Sequence, residues 1–256
     1  MLKKDIRIRS SEGPEFDCYI VTPESEQKVS AIVLASGIHG VDKDLRAIAD
    51  EFASRGHIAA APDLFWRTLP GPLVRSDPSL APRGQPRLEQ IKTGERDLAD
   101  VLLVLREQPL FNGHAAVIGF CYGGPYAILG PKRLGYGAGI ACHGSQLLDF
   151  IHELEGVRQP VCIMWGDQDH AAPASVLKTY RALPARIKNV DVHVFPGVEH
   201  GYMMHGNIKA FDRTAYDFSM KRALAILECL RKTPAQNRIS GAERSAGHQA
   251  LRDGTK

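Results

Sequence analysis

Long hydrophobic runs are what this 256-residue chain most plainly lacks: no stretch reaches the length a bilayer-spanning helix needs, so a membrane partner is not expected. It also lacks an excess of one charge. Its 32 basic and 29 acidic residues mix along the chain to a net +3. There is no basic stripe and no interleaving of aromatics with basic residues, so nucleic acid is not an expected partner either. Cysteine is scarce and odd in number: Cys18, Cys121, Cys142, Cys162 and Cys229. None has the CxxC spacing of a metal knuckle, which argues against a disulfide framework or a metal site. No metal or organic cofactor is expected, and a reduced, cytoplasmic chain is. The opening Met1–Ser10 alternates charged and aliphatic residues with no apolar run behind it, so no secretory leader is expected. Internal repeats are absent as well.

What is present is an ordinary globular composition, 44% hydrophobic and 24% charged, at a length that suits one α/β domain. Two period-2 segments, from Asp5 and from Phe16, flank a Gly13-Pro14 turn and predict an antiparallel hairpin. Ala31–Ala35 is continuously apolar, as a strand buried on both faces would be. Helical spacing follows over Asp44–Ser54, then a strand at Ile58–Pro62. Trp66–Leu88 is rich in Pro, Gly and Arg and reads as a long irregular loop, a kind that is often functional. Leu88–Glu107 is an amphipathic helix, and Ala116–Phe120 a strand leading to a helix over Gly123–Leu129. Strands at Gly139–Cys142, Pro160–Trp165 and Val190–Phe195 alternate with helices at Val176–Leu183 and Phe211–Leu230. This alternation predicts an α/β fold with a mostly parallel, doubly wound sheet and an antiparallel N-terminal hairpin. One domain is expected over 1–232, with a polar, mobile tail over 233–256.

Four cysteines sit among apolar residues and read as small core residues. Cys121 differs. It lies in Gly119-Phe-Cys-Tyr-Gly-Gly124 between a predicted strand and a predicted helix. This is the pattern of a nucleophile elbow with Cys in place of Ser. A turn that tight leaves no room for side chains two residues either side of the nucleophile, hence Gly119 and Gly123. It lifts the sulfur to the carboxyl end of the sheet and onto a helix N-terminus, which favours thiolate. A nucleophile also needs a base and a group to orient the base, expected downstream in the order acid, then histidine. Trp165-Gly-Asp167-Gln-Asp169-His170 follows one predicted strand and Val198-Glu-His200-Gly follows the last, both at carboxyl ends where open sheets hold their sites. Asp167 and Asp169 compete for the acid role. Each residue alone has an ordinary reading, as a cap or a loop histidine. Together, in this order, they point to a triad. An oxyanion hole would use the backbone N–H of Tyr122 and, in the loop Gly37-Ile38-His39-Gly40, that of Ile38.

These residues resemble the dienelactone hydrolases (carboxymethylenebutenolidases), a family of the α/β-hydrolase fold, from about Ala31 to Leu230. The likeness lies in Ala61-Pro-Asp-Leu-Phe-Trp-Arg67, Gln108-Pro-Leu-Phe-Asn-Gly113, Gly119–Gly124, Gly166-Asp-Gln-Asp-His170 with Pro173, and Glu199-His-Gly. The resemblance implies a Cys-His-Asp hydrolase with Asp169 as the triad acid. It also exposes departures. The family's glutamate after the third strand, which gates ionisation of the cysteine, corresponds to Gly37. Without it, Cys121 is expected to pair with His200 even with no substrate bound. A carboxylate-binding arginine four residues after the triad histidine corresponds to Met204. A second such arginine precedes the long helix, where Arg83 or Arg87 could substitute.

Further pocket candidates at or after strand ends are His39, Trp66, Arg67, His143 and Tyr202, with Met204 as an apolar wall. For Arg67 a structural ion pair holding the loop is the favoured reading. The expected partner is a small-molecule ester or lactone, cleaved through an acyl-thioester on Cys121. The competing expectation is a redox-sensing or binding protein on the same scaffold, with Cys121 as its reactive thiol.

Overall fold

The continuous apolar runs become the centre of an eight-stranded sheet. The computed structural model describes residues 1–171 and 174–234. Its strands are β1 (Leu2–Arg9), β2 (Glu15–Thr22), β3 (Val29–Ala35), β4 (Ile58–Pro62), β5 (Phe111–Phe120), β6 (Ala138–Cys142), β7 (Val161–Gly166) and β8 (Val190–Phe195). They run in the order β1-β2-β4-β3-β5-β6-β7-β8. The β1–β2 hairpin is antiparallel, as expected, and β2 is also antiparallel to β4. The remaining pairings are parallel.

The central strand β3 is buried at every position. Its Ile32 and Leu34 face one core, while Ala31, Val33 and Ala35 face the other. Helices therefore cover both faces. On the first face lie α1 (Lys43–Ser54) and α6 (Arg213–Lys232), through Ile48, Phe52, Met220 and Leu227. The other face carries α3 (Arg87–Arg106), the single-turn α4 (Tyr126–Leu129) and α5 (Ala174–Arg186). Asp42 and Asp212 cap α1 and α6 by accepting from the N–H groups of Leu45 and Ala215.

Three expectations change. The loop between β4 and α3 is not wholly irregular, because it contains a one-turn helix, α2 (Leu80–Arg83). Buried Asp63 gathers the loop by accepting from the N–H groups of Phe65 and Gly71. Trp66 and Arg67 are not pocket groups. Trp66 stacks on Phe16, and its Nε1–H donates to Asp97 at 3.1 Å. Arg67 grips Asp97 with two hydrogen bonds, at 2.7 and 2.9 Å, and also holds Glu12. Both residues staple the loop to α3, the structural reading favoured for Arg67. Of the cysteines expected in the core, Cys18, Cys142 and Cys162 are buried, but Cys229 lies on the exposed face of α6, while its neighbours Leu227 and Leu230 take the buried face. Pro173 and residues 235–256 of the expected tail lie outside the described residues.

The Asp97 staple is testable. Its side chain is 0% exposed against 21% for Arg67. Asp97→Ala would strand the guanidinium and the indole N–H, and is expected to lower unfolding free energy by about 3 kcal/mol. Urea titration measures it, and a loss under about 1 kcal/mol would reduce the pair to a surface contact.

Candidate active site

The predicted elbow sits where β5 ends. Cys121 has φ +47°, a left-handed backbone that side-chain-bearing residues rarely adopt. A Cβ on Gly119 would lie 2.1 Å from the Gly123 carbonyl oxygen, and one on Gly123 would lie 2.2 Å from that of Ala35. Both glycines are therefore sterically required. The expected helix over Gly123–Leu129 is broken: a single 3₁₀ turn spans Cys121–Gly123 before α4.

Two carbonyls fix the expected oxyanion-hole N–H groups, since each shares a peptide plane with one of them. The Cys121 C=O, coplanar with the Tyr122 N–H, accepts from Gly124 at 3.0 Å and Ser145 at 2.7 Å. The Gly37 C=O, coplanar with the Ile38 N–H, accepts from Gly40 at 3.0 Å. Buried arginines hold the next planes: Arg83 donates to the Ile38 carbonyl and Arg87 to that of Tyr122. Neither arginine lines the cavity beside Cys121, so neither stands as the substrate-binding substitute expected from sequence.

His200 Nδ1 lies 2.8 Å from Oδ2 of Asp169, a carboxylate with no exposed side-chain surface. Its other oxygen accepts from the Ala171 N–H. Asp167 instead braces the β8 turn by accepting from the Gly197 N–H. The geometry thus gives Asp169, not Asp167, to the histidine. On the opposite side His200 interacts with the Cys121 thiol, each shifting the other's ionisation. Burial is the largest influence on Cys121 and opposes its charge. Hydrogen bonding and charge from His200, with help from Ser145 and the Tyr122 N–H, outweigh it and bring the thiol below its ordinary value. Burial likewise opposes charge on His200, but Asp169 and Cys121 push it up to about 10. The other buried thiols go the opposite way, Cys18 and Cys162 each rising to about 12 through burial. Gly37 is the position expected from resemblance to take the place of the family's glutamate, and a Cβ there would sit 3.3 Å from that of Cys121. Any side chain at 37 would crowd the Cys121 side chain at its Cβ.

Cys121 and His200 open into a cavity of about 270 Å³. Of the expected pocket residues, His39, His143 and Met204 line it, as does Ile38, the expected oxyanion-hole residue. Tyr202 does not: it is fully buried, hydrogen-bonds Ser219 and backs the His143 ring. Sequence reasoning missed Arg75, His170 and Ser145. Arg75 and His170 line the cavity, and the Ser145 hydroxyl lies 3.7 Å from the Cys121 sulfur. Ser145 follows β6 at the carboxyl end of the sheet, a positional signal that was available; Arg75 lies in the loop whose path the sequence does not specify.

Among the described residues, one group has metal-ligand chemistry: Cys162, Asp191 and His193, whose ligand atoms lie within 4.8 Å of one another. The Arg222 guanidinium binds Asp191 and acts on Cys162, so a cation already fills the space. The cluster ties β8 to α6.

A family model, the dienelactone hydrolase family, matches residues 16–230. Carboxymethylenebutenolidase 1 of Cupriavidus pinatubonensis is 25% identical over 90% of this chain and 99% of its own length. The carboxymethylenebutenolidase of Pseudomonas putida is 28% identical over 68% of this chain and 75% of its own. Among solved structures, a dienelactone hydrolase-like promiscuous phosphotriesterase from metagenomic libraries superposes with a TM-score of 0.72, at 20% identity over 90% of this chain and 99% of that one. The dienelactone hydrolase of Anabaena variabilis does so with a TM-score of 0.64, at 13% identity over 90% and 99%. At these identities the structural likeness speaks to the fold.

Three outcomes follow from the thiol's surroundings, all read by peptide-resolved mass spectrometry of iodoacetamide alkylation so that exposed Cys229 is counted separately. The Cys121 ion pair forms as pH rises through the lowered thiol value and is lost as His200 deprotonates near 10. Alkylation of Cys121 should therefore reach its plateau below the ordinary thiol range of about 8.5. In His200→Ala, burial acts without its counterweight and the midpoint should move above that range; an unmoved midpoint would separate the two residues. Gly37→Glu sets a carboxylate against the sulfur and should slow alkylation at pH 7 by about tenfold, through like-charge repulsion.

Proposed function

Because the chain belongs to the dienelactone hydrolase family of hydrolases, we propose that it cleaves a small ester or lactone through Cys121, His200 and Asp169. The observation that carries this reading is the hydrogen bond from buried Asp169 to a His200 that interacts with Cys121 and favours ionisation of its thiol, at the carboxyl end of the sheet. A structural thiol has no need of such an arrangement: Cys162 also lies near an Asp–His pair, Asp191 and His193, but burial raises that thiol instead of favouring its ionisation.

In the proposed mechanism the Cys121 thiolate attacks the carbonyl carbon and its electron pair forms the C–S bond. The carbonyl oxygen becomes an oxyanion held by the Ile38 and Tyr122 N–H groups, in planes fixed before substrate arrives. Collapse of the intermediate breaks the C–O bond, and the His200 imidazolium gives its proton to the departing alkoxide. Neutral His200 then takes a proton from water as the hydroxyl adds to the thioester. Breakdown releases the carboxylic acid and restores the thiolate beside imidazolium. Asp169 holds the Nδ1–H tautomer, so Nε2 faces the chemistry. The cavity, about 270 Å³, admits a small acyl group. Arg75 at its wall favours an acidic substrate, and Met204 supplies an apolar surface where the family pattern has an arginine.

The test is turnover of short-chain 4-nitrophenyl esters and small lactones. Cys121→Ala is expected to cost about a thousandfold or more in kcat, and Asp169→Asn a loss of similar order. Acid-quenched wild-type protein should carry the acyl mass on the Cys121 peptide. Full turnover by Cys121→Ala would end this reading.

A further inference from the structure

His143 follows β6 with φ +42°, a strained backbone for a residue with a side chain. The residue is 1% exposed, yet neither Nδ1 nor Nε2 has a hydrogen-bond partner. Buried polar groups are nearly always paired, so two orphaned nitrogens on one ring mark a position that something else completes. The protein neighbours do not complete it. Phe120 lies 6.1 Å away between ring centroids, and Tyr202 and His200 meet the ring edge-on at 5.3 and 4.9 Å. The ring also lines the cavity that holds Cys121. Burial, with the positive charges of His200 and Arg75, keeps it neutral, so it offers one N–H donor and one bare nitrogen.

We propose that His143 is a specificity-determining residue that donates a ring N–H to a second oxygen acceptor on the substrate, a carbonyl or carboxylate oxygen beyond the scissile group. The proposal rests on the hydrolase reading above and names what that substrate must carry. An acceptor suits this cavity better than a donor. Arg75, which lines the same space and forms no ion pair among the described residues, can only donate. Leu45, Phe120 and Met204 supply apolar wall, and Asp42, the carboxylate that also lines the cavity, accepts from the Leu45 N–H as the α1 cap. Holding that oxygen at His143 would fix the acyl chain relative to the sulfur.

The experiment compares three 4-nitrophenyl esters of similar size: butanoate, 4-oxopentanoate and hemisuccinate. His143→Phe keeps a ring but removes the N–H. His143→Asn returns a donor on a residue that tolerates left-handed backbone. His143→Phe is expected to lower kcat/KM for the oxo or carboxylate ester, or both, by roughly tenfold or more, since a site built to pair a polar group discriminates strongly. Butanoate should change by less than about threefold, and His143→Asn should recover part of the loss. Loss on both functionalised esters means any oxygen acceptor suffices; loss on one identifies it as the neutral or the anionic kind. Equal loss on all three esters, or none on any, overturns the proposal and leaves His143 a packing residue beneath His200. Protection of Cys121 from iodoacetamide by the corresponding amides is measured alongside and needs no turnover. Should wild-type protein cleave none of the esters, the hydrolase reading fails. The binding role of His143 then stands or falls on whether the oxo or succinamic amide protects wild type and not His143→Phe.

Discussion

The site depends on one steric constraint: the chain must reverse within three residues at Cys121 while its backbone touches the neighbouring strand. Gly119 faces the Gly123 carbonyl and Gly123 faces Ala35 at distances that admit no Cβ. The left-handed Cys121 backbone follows, and with it a sulfur standing clear of the sheet rather than packed inside it like Cys18, Cys142 and Cys162. The same turn presents the Cys121 carbonyl to Gly124 and Ser145, which aims the Tyr122 N–H. Position of the nucleophile and direction of its oxyanion donor are thus two results of one packing contact.

Electrostatics then separates this thiol from the others. Burial raises every thiol in the core. At Cys121 it is the largest influence too, and is overturned because His200, Ser145 and a backbone N–H converge on one atom. Convergence is possible because β5, β6 and β8 end at the same edge of a parallel sheet. Gly37 leaves room beside the nucleophile, since the position that would crowd the Cys121 Cβ carries no side chain. The unpartnered His143 beneath His200 is the complementary case, a buried polar group kept neutral by the positive charges around it.

The loop between β4 and α3 joins stability to the site. Asp63 gathers it, Trp66 and Arg67 pin it to Asp97, and Arg83 runs from the Gly71 carbonyl to that of Ile38. Residues that looked like pocket groups thereby hold the walls, and an arginine that attracted no notice, Arg75, lines the cavity. A buried guanidinium serves backbone carbonyls here because its fork of donors can bridge two chain segments at once.

Local rules made most of the fold legible. Alternation in the hairpin and in β8, apolar runs in β3, β4, β6, β7 and the second half of β5, and helical spacing in α1, α3 and α6 each reflect a period that the backbone imposes by itself. The elbow was legible for the same reason, since the need for Gly119 and Gly123 is local sterics, and the order Cys121, Asp169, His200 follows from topology. Family likeness, rather than spacing, favoured Asp169 over Asp167 before the 2.8 Å contact with His200 was seen. Tertiary structure alone decided which polar residues share a cavity. Trp66, Arg67 and Tyr202 turned inward to partners on distant elements, while Arg75, His170 and Ser145 arrived from segments with no periodic signal. Such pairings depend on where a loop's few long-range hydrogen bonds close, and sequence periodicity carries no record of that.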